Sequence, residues 1–330
     1  MPEISVPVIR PKSNGALTDR EADPGSDPAS PSLPRLTRSR RKARKPGSPR
    51  TMTALVAPSV ILLILINLYP IIYAADQALH NGSLISNGPF VGLSNFSLVL
   101  QSSAFWSAVE FTAIFTIVGV FGSWLIGLGL ALLLRGLPHA GLFKVLLLLP
   151  WIVPVVVTTT SWNWLIATNT SPVPSLFHAI GLGTPYFLAN PTLAKVTVCV
   201  FEVWVNFPFM MLMSSAALTA VDHSVYEAAW IDGASSWRQF WHITLPLIAR
   251  STYIAWILMT IFCVNDFPSV FLLTGGGPSG STTTLVVLAY QTVFHNFSTG
   301  PGVAIAFLGT VVLTVIAVIL YRRVQKAHAE

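Results

Sequence analysis

Along most of this chain, long charge-free apolar runs alternate with short polar segments, and the runs are of membrane-crossing length. A bilayer's hydrocarbon core takes about 20 apolar residues per helix. Six segments meet that length. The first runs from Thr53 to about Ala75, between Arg50 and Asp76, and the second from about Phe105 to Leu134, interrupted only by Glu110. The third runs from about Leu142 to Ala167, and the fourth from about Leu193 to Ala220 with Lys195 and Glu202 inside it. The fifth covers about Thr252 to Leu273 with Asp266, and the sixth about Val303 to Tyr321. A further apolar stretch, Thr284 to Phe294, is too short to span; it reads as a re-entrant or interfacial helix, or as an outward extension of the sixth span. The expected fold class is an all-α membrane protein with six transmembrane helices.

Composition sharpens this picture. Of 330 residues, 53% are hydrophobic and 10% charged, against about 25% charged in soluble domains. The two cysteines, Cys199 and Cys263, lie inside apolar segments and read as packed thiols rather than a disulfide framework. Residues 1–50 hold 11 of the 19 Lys and Arg and 5 of the 13 Asp and Glu, hence the whole net charge of +6. This tail, rich in proline and serine, cannot bury enough surface to offset its ordering entropy and is expected to be a disordered basic segment. Its cluster Arg38, Arg40, Arg41, Lys42, Arg44 and Lys45 directly precedes a hydrophobic run. There it reads as the cytoplasmic anchor of a first span, attracted to anionic lipid, rather than as a nucleic-acid patch.

The basic residues also set the topology. With a cytoplasmic N-terminus and six alternating spans, 18 of 19 Lys and Arg fall inside, including Arg135, Lys144, Arg238, Arg250, Arg322, Arg323 and Lys326. The exception, Lys195, can snorkel at the outer edge of the fourth span. Both termini are therefore expected in the cytoplasm, with residues 51–330 forming one six-span domain.

The fourth and fifth spans are joined by a cytoplasmic loop, residues 221–250, with the grammar of a folded element. Ser224 and Glu227 have capping-box spacing, which predicts a short helix beginning there and running through Ala228 and Ala229 to Asp232. Gly233 supplies the left-handed residue that ends it. A second helix is expected to carry Trp237, Phe240, Trp241 and Ile243 on one face before Leu245 and Pro246 lead into the fifth span. So many aromatics in a loop suggest a docking surface.

Those residues carry a resemblance. Glu227-Ala228-Ala229, three residues, Gly233, nine residues, Ile243, one residue, Leu245-Pro246 resembles the EAA loop of ABC importer permeases. The fuller string through Asp232 and Ala234 is similar to the carbohydrate-uptake, maltose-type branch. Pro150 to Pro154, Trp162, Trp164 and Leu272 to Pro278 also look like that branch, and the likeness covers roughly residues 53–325. It implies the type I importer permease fold in a bacterial inner membrane. It also implies a second permease as pore partner, two ATPase subunits docking on Glu227, Ala228, Ala229, Asp232, Gly233, Ala234, Leu245 and Pro246, and an extracytoplasmic sugar-binding protein.

The chain itself has no phosphate-cradling loop and no Gly-Lys dipeptide, so ATP and magnesium are expected on the ATPase and no cofactor on this chain. Seven scattered histidines without ligand spacing suggest no metal site. Glu110, Glu202 and Asp266 occur singly, so no catalytic residues are expected of a membrane enzyme. Such carboxylates could also serve an ion-coupled secondary transporter, which would work without an ATPase. Glycerol-phosphate-type substrates are a further alternative, but the scarcity of Lys and Arg in the spans and outer loops points to a neutral sugar.

A sugar path is expected on the two spans flanking the loop. Glu202, Asn206 and Phe209 share one helical face by spacing, as do Met259, Cys263 and Asp266, with Asn265 beside them. The maltose permease it resembles lines its site from matching positions, though Cys263 stands where that protein has an amide. A structural alternative pairs Glu202 with Lys195 on the same face, or bonds Asp266 within the bundle.

Overall fold

The computed structural model describes residues 49–86 and 88–326; of the expected basic tail, residues 1–50, only Pro49 and Arg50 are described, at the start of the first helix, and the rest lies outside the described residues. Contacts divide the chain at Pro58, and residues from Ser59 onward form the compact unit described here. Among the described residues there is no β-strand, only an isolated bridge between His80 and Phe90. The helices in order are α1 Pro49–Ala78, α2 Ser94–Gln101, α3 Ser103–Leu133, α4 Ala140–Leu147, α5 Leu149–Ile152, α6 Val155–Ile166 and α7 Pro172–Ala179. There follow α8 Pro191–Thr219, α9 His223–Ile231, α10 Ser236–Gln239, a π-helical turn Phe240–Thr244, and α11 Leu245–Val264. The chain then continues through α12 Pro268–Thr274, α13 Leu285–Tyr290, a second π turn Gln291–His295, and α14 Thr299–Lys326.

Among the described residues, five helical stretches are long and apolar enough to cross a membrane: Thr53–Ala78, Ser103–Leu133, Pro191–Thr219, Ser236–Val264 and Thr299–Ile319. The expected single span from Leu142 to Ala167 is instead broken into α4, α5 and α6. The break follows from Pro154, which disfavours helical geometry at the preceding residue. Val153 is extended (φ −68°, ψ 134°). The expected fifth span is also interrupted, because α11 stops at Val264. Pro268 has no N–H for the Val264 carbonyl and starts α12 at its first position. Pro208, by contrast, is accommodated within the continuous α8. The apolar stretch after Thr284 forms α13 and its π turn, too short to span.

In lipid, helix association rests on close packing rather than on water exclusion, so small residues mark the tight seams. The principal seam joins α3 and α8. A Cβ built on Gly127 would lie 2.6 Å from the Met211 nitrogen, and one on Gly122 would lie 2.6 Å from Val203 Cγ2. Around this seam Phe111, Phe115, Phe201, Met210, Met259 and Cys263 form the largest buried cluster. A second cluster, with Leu128, Met211, Leu218 and Ile248, extends it towards the loop segment after α8. At the other end Asn95 Nδ2 donates to the carbonyls of Ala78 (2.8 Å) and His80 (3.0 Å), tying α2 to the end of α1. The α1 side chains from Val60 to Tyr73 are exposed, and apart from Asn67, whose amide donates to the Leu63 carbonyl, this surface is dominated by apolar side chains suited to a lipid environment.

Candidate functional site

Two features stand out: the segment between α8 and α11, and a polar cavity where the two broken helices meet.

The segment after α8 folds largely as its pattern predicts, but its cap differs. Asp222, not Ser224, is the N-cap of α9, accepting from the Ser224 amide at 3.0 Å. That donation holds the Asp222 carboxyl below the usual carboxylate range. The expected capping box is therefore absent: Glu227 pairs with His223 instead, at 3.0 Å, both side chains being exposed. Asp222 wins because its side chain reaches the free amides of a helix that starts two residues earlier than expected.

At the other end the sequence expectation matches. Gly233 is left-handed (φ 75°); Ala234 N donates to Ala229 O at 2.9 Å and Gly233 N to Trp230 O at 3.0 Å. This is the Schellman arrangement, which a side chain at Gly233 would strain. Ala229 is buried, whereas Ala228, Asp232 and Gly233 are exposed and Ala234 half-buried.

The expected second helix is only the short α10, capped by Ser235, and it runs through the π turn into α11 without a break. Trp237, Phe240 and Trp241 cluster with ring centroids 5.3 to 6.3 Å apart. Leu245 packs on the second core cluster and Pro246 is exposed. Trp230, Ile231 and Trp237 are more than two-thirds exposed, a concentration of apolar surface of the kind that marks an interaction site.

The cavity, about 510 Å³, is walled by both helix breaks and by α8: Trp151 to Val155 on one side, Asn265, Asp266, Pro268 and Ser269 on the other, and Glu202, Val205 and Asn206 between. Irregular backbone at membrane depth is tolerated where it lines a polar cavity. Glu202 is buried (1% exposed). Its Oε1 accepts from Asn206 Nδ2 at 2.9 Å and from Cys263 Sγ at 3.3 Å, and its carboxyl also lies against that of Asp266. Gly119 of α3 makes room for this contact, since a Cβ there would lie 2.9 Å from Cys263 Sγ. The Asp266 carboxylate is near enough to interact with Glu202 electrostatically, and it accepts from Ser269 N at 3.2 Å.

The expected path residues thus divide. Glu202, Asn206, Asn265 and Asp266 line the cavity. Phe209 packs between Trp151 and Phe262, at centroid distances of 6.0 and 5.7 Å, beside the cavity rather than on its wall. Met259 and Cys263 belong to the buried core. The supposed common face of Met259, Cys263 and Asp266 is corrected by the structure, because α11 ends before Asp266 is reached. Nor does Glu202 pair with Lys195; it bonds to Asn206 and Cys263 instead. Trp151 to Val155 and Ser269 were not anticipated as lining residues; the proline pair was the available signal.

Residues 123–327 match the family described as the binding-protein-dependent transport system inner membrane component, and the chain belongs to that family. The trehalose/maltose transport system permease protein MalF of Thermococcus litoralis is 35% identical over 246 residues, 74% of this chain and 82% of the relative. The trehalose transport system permease protein SugA of Mycobacterium tuberculosis is 32% identical over 271 residues, 81% of this chain and 86% of the relative. The fold is shared with a bacterial ABC transporter involved in the import of the acidic polysaccharide alginate, at TM-score 0.73 and 20% identity, covering 84% of this chain and 96% of that one. The chain is a multi-pass membrane permease subunit and not an enzyme.

Proposed function

We propose that this chain forms, with a second permease, the membrane pathway of an ATP-driven importer for a neutral sugar or oligosaccharide delivered by an extracytoplasmic binding protein. The observation that carries the reading is the acceptor-rich cavity. Glu202 and Asp266 set two carboxyl groups against each other at the cavity, Asn206 and Asn265 add side-chain amides, and no Lys or Arg lines the wall. Sugar hydroxyls are donors that satisfy such acceptors, whereas an anionic saccharide would meet like charge in a low-dielectric site. The named relatives that transport trehalose or maltose are consistent with this chemistry.

In this reading α4 to α6 together make the third of six crossings, with both termini in the cytoplasm of a bacterial inner membrane. The segment 221–250 then meets the ATPase, through Glu227, Ala228, Ala229, Asp232, Gly233, Ala234, Leu245 and Pro246. ATP and magnesium are held by two ATPase subunits, and their closure rocks the spans. The expected basic tail at 1–50 has an accessory, membrane-orienting role. A test is reconstitution of the assembled transporter with its binding protein in proteoliposomes, assayed for ATPase stimulation by maltose, trehalose and an acidic oligosaccharide. Stimulation by a neutral sugar is the expected result; stimulation confined to the acidic one contradicts it.

A further inference from the structure

Tyr226 stands immediately before Glu227 on α9 and joins that exposed helix to the bundle at two places. The Arg135 guanidinium, just beyond the end of α3, lies 4.5 Å from the Tyr226 ring centroid, a cation–π distance. The Tyr226 hydroxyl is 3.2 Å from Thr244 Oγ1. Thr244 is buried and is the last residue of the π turn that leads into α11. π-Helical turns are local departures from the helical ladder and recur at functional sites.

By the chain alone, α9 is connected to α8 through residues 220–222 and to α10 through residues 232–235, both non-helical. Such links absorb a displacement as changes in φ and ψ. Tyr226 bypasses both, touching the end of α3 and the start of α11 directly. These two helices flank α8, and with it they surround Glu202: Gly119 of α3 and Cys263 of α11 both approach that side chain.

We infer that Tyr226 is a positioning residue for energy coupling, a pin that carries displacement of α9 to α3 and α11 and so to the cavity. The inference rests on the proposed ATP-driven gating. It assigns the ring and the hydroxyl separate tasks: the ring holds α3 through Arg135, and the hydroxyl holds the π turn through Thr244.

The experiment uses the full transporter carrying Asn265→Cys at the cavity wall, where Cys199 and Cys263 are buried and free and so give little background. Maleimide labelling of position 265 is compared with and without ATP trapped by vanadate. The parent should change its labelling rate several-fold on trapping. Tyr226→Leu should lose most of that change while retaining assembly and basal ATP hydrolysis, and Tyr226→Phe should lose part of it. If Tyr226→Leu does not assemble, Tyr226→Phe and Thr244→Val decide: equal partial losses, with no further loss in the double variant, support a shared bond. A full response in Tyr226→Leu, or in both milder variants, overturns the pin. Absence of any nucleotide response in the parent overturns the proposed gating itself, an outcome distinct from failure of the pin alone.

Discussion

Asn206 donates to Glu202 Oε1 at 2.9 Å and to the Glu202 carbonyl at 3.0 Å, so one amide holds both the carboxylate and the backbone of the residue one turn before it. Asn206 also lines the cavity. The Glu202 carboxyl also faces that of Asp266, so Asn206, Glu202 and Asp266 form one polar group on the cavity wall.

The end of α9 depends on Gly233. Open space surrounds its Cα, so a side chain meets no neighbour, and the whole penalty is conformational. Gly233→Ala should cost about 1–2 kcal/mol from left-handed strain alone, and coupling should be impaired but measurable. Gly233→Pro fixes φ near −65° against the observed 75°; it should abolish binding-protein stimulation of ATPase activity and sugar uptake together. Normal values of both in the proline variant would sink the coupling role of this segment.

Asp222 makes a pH prediction. Its carboxyl is held below the ordinary carboxylate range by the Ser224 amide, so the charged form stabilises α9. A depressed folded pKa contributes stability that is present above the unfolded pKa and is lost as pH falls through the folded one. Hydrogen exchange in α9 should accelerate only in acid below the usual carboxylate range. Asp222→Ala should show several-fold faster exchange at neutral pH without that acid step; an unchanged acid step would refute the cap.

Tight packing of α3 on α8 is tested at Gly127, where a Cβ would fall 2.6 Å from the Met211 backbone. Gly127→Val should overpack the seam, at a cost of about 1–3 kcal/mol, and lower the thermal stability of the purified permease. Gly129, with nothing within 4 Å of its Cβ position, is the control: Gly129→Ala should be neutral or stabilising by helix propensity.

Long apolar runs made α1, α3, α8 and α14 legible from sequence, since length and hydropathy alone decide a membrane helix. The interruptions were less legible. Pro150 and Pro154 stood in a run that still satisfied the apolar count, and Asp266 satisfied a helical period that the backbone abandons two residues earlier. Those departures are what create the cavity, so the pattern located Glu202 and Asn206 on the regular α8 but missed Trp151 to Val155 on the opposite wall. In the connecting segment, Gly233 was readable because a left-handed helix end requires glycine chemistry. The choice of Asp222 over Ser224 as cap was not, because both spacings offer an oxygen to a free amide. The contacts of Tyr226 with Arg135 and Thr244 join residues 91 and 18 positions apart, a relationship no local period encodes.

The most direct test of the central claim is sugar uptake into proteoliposomes by Asn206→Ala and Asp266→Ala transporters, with ATPase activity and assembly measured in the same preparations. Both substitutions remove acceptors from the cavity wall without touching the coupling segment. Uptake of the stimulating neutral sugar should fall about tenfold or more, as expected when a contact worth roughly 1.4 kcal/mol or more is lost, while basal ATP hydrolysis and assembly persist. Unchanged uptake in both variants would exclude this cavity as the sugar's route.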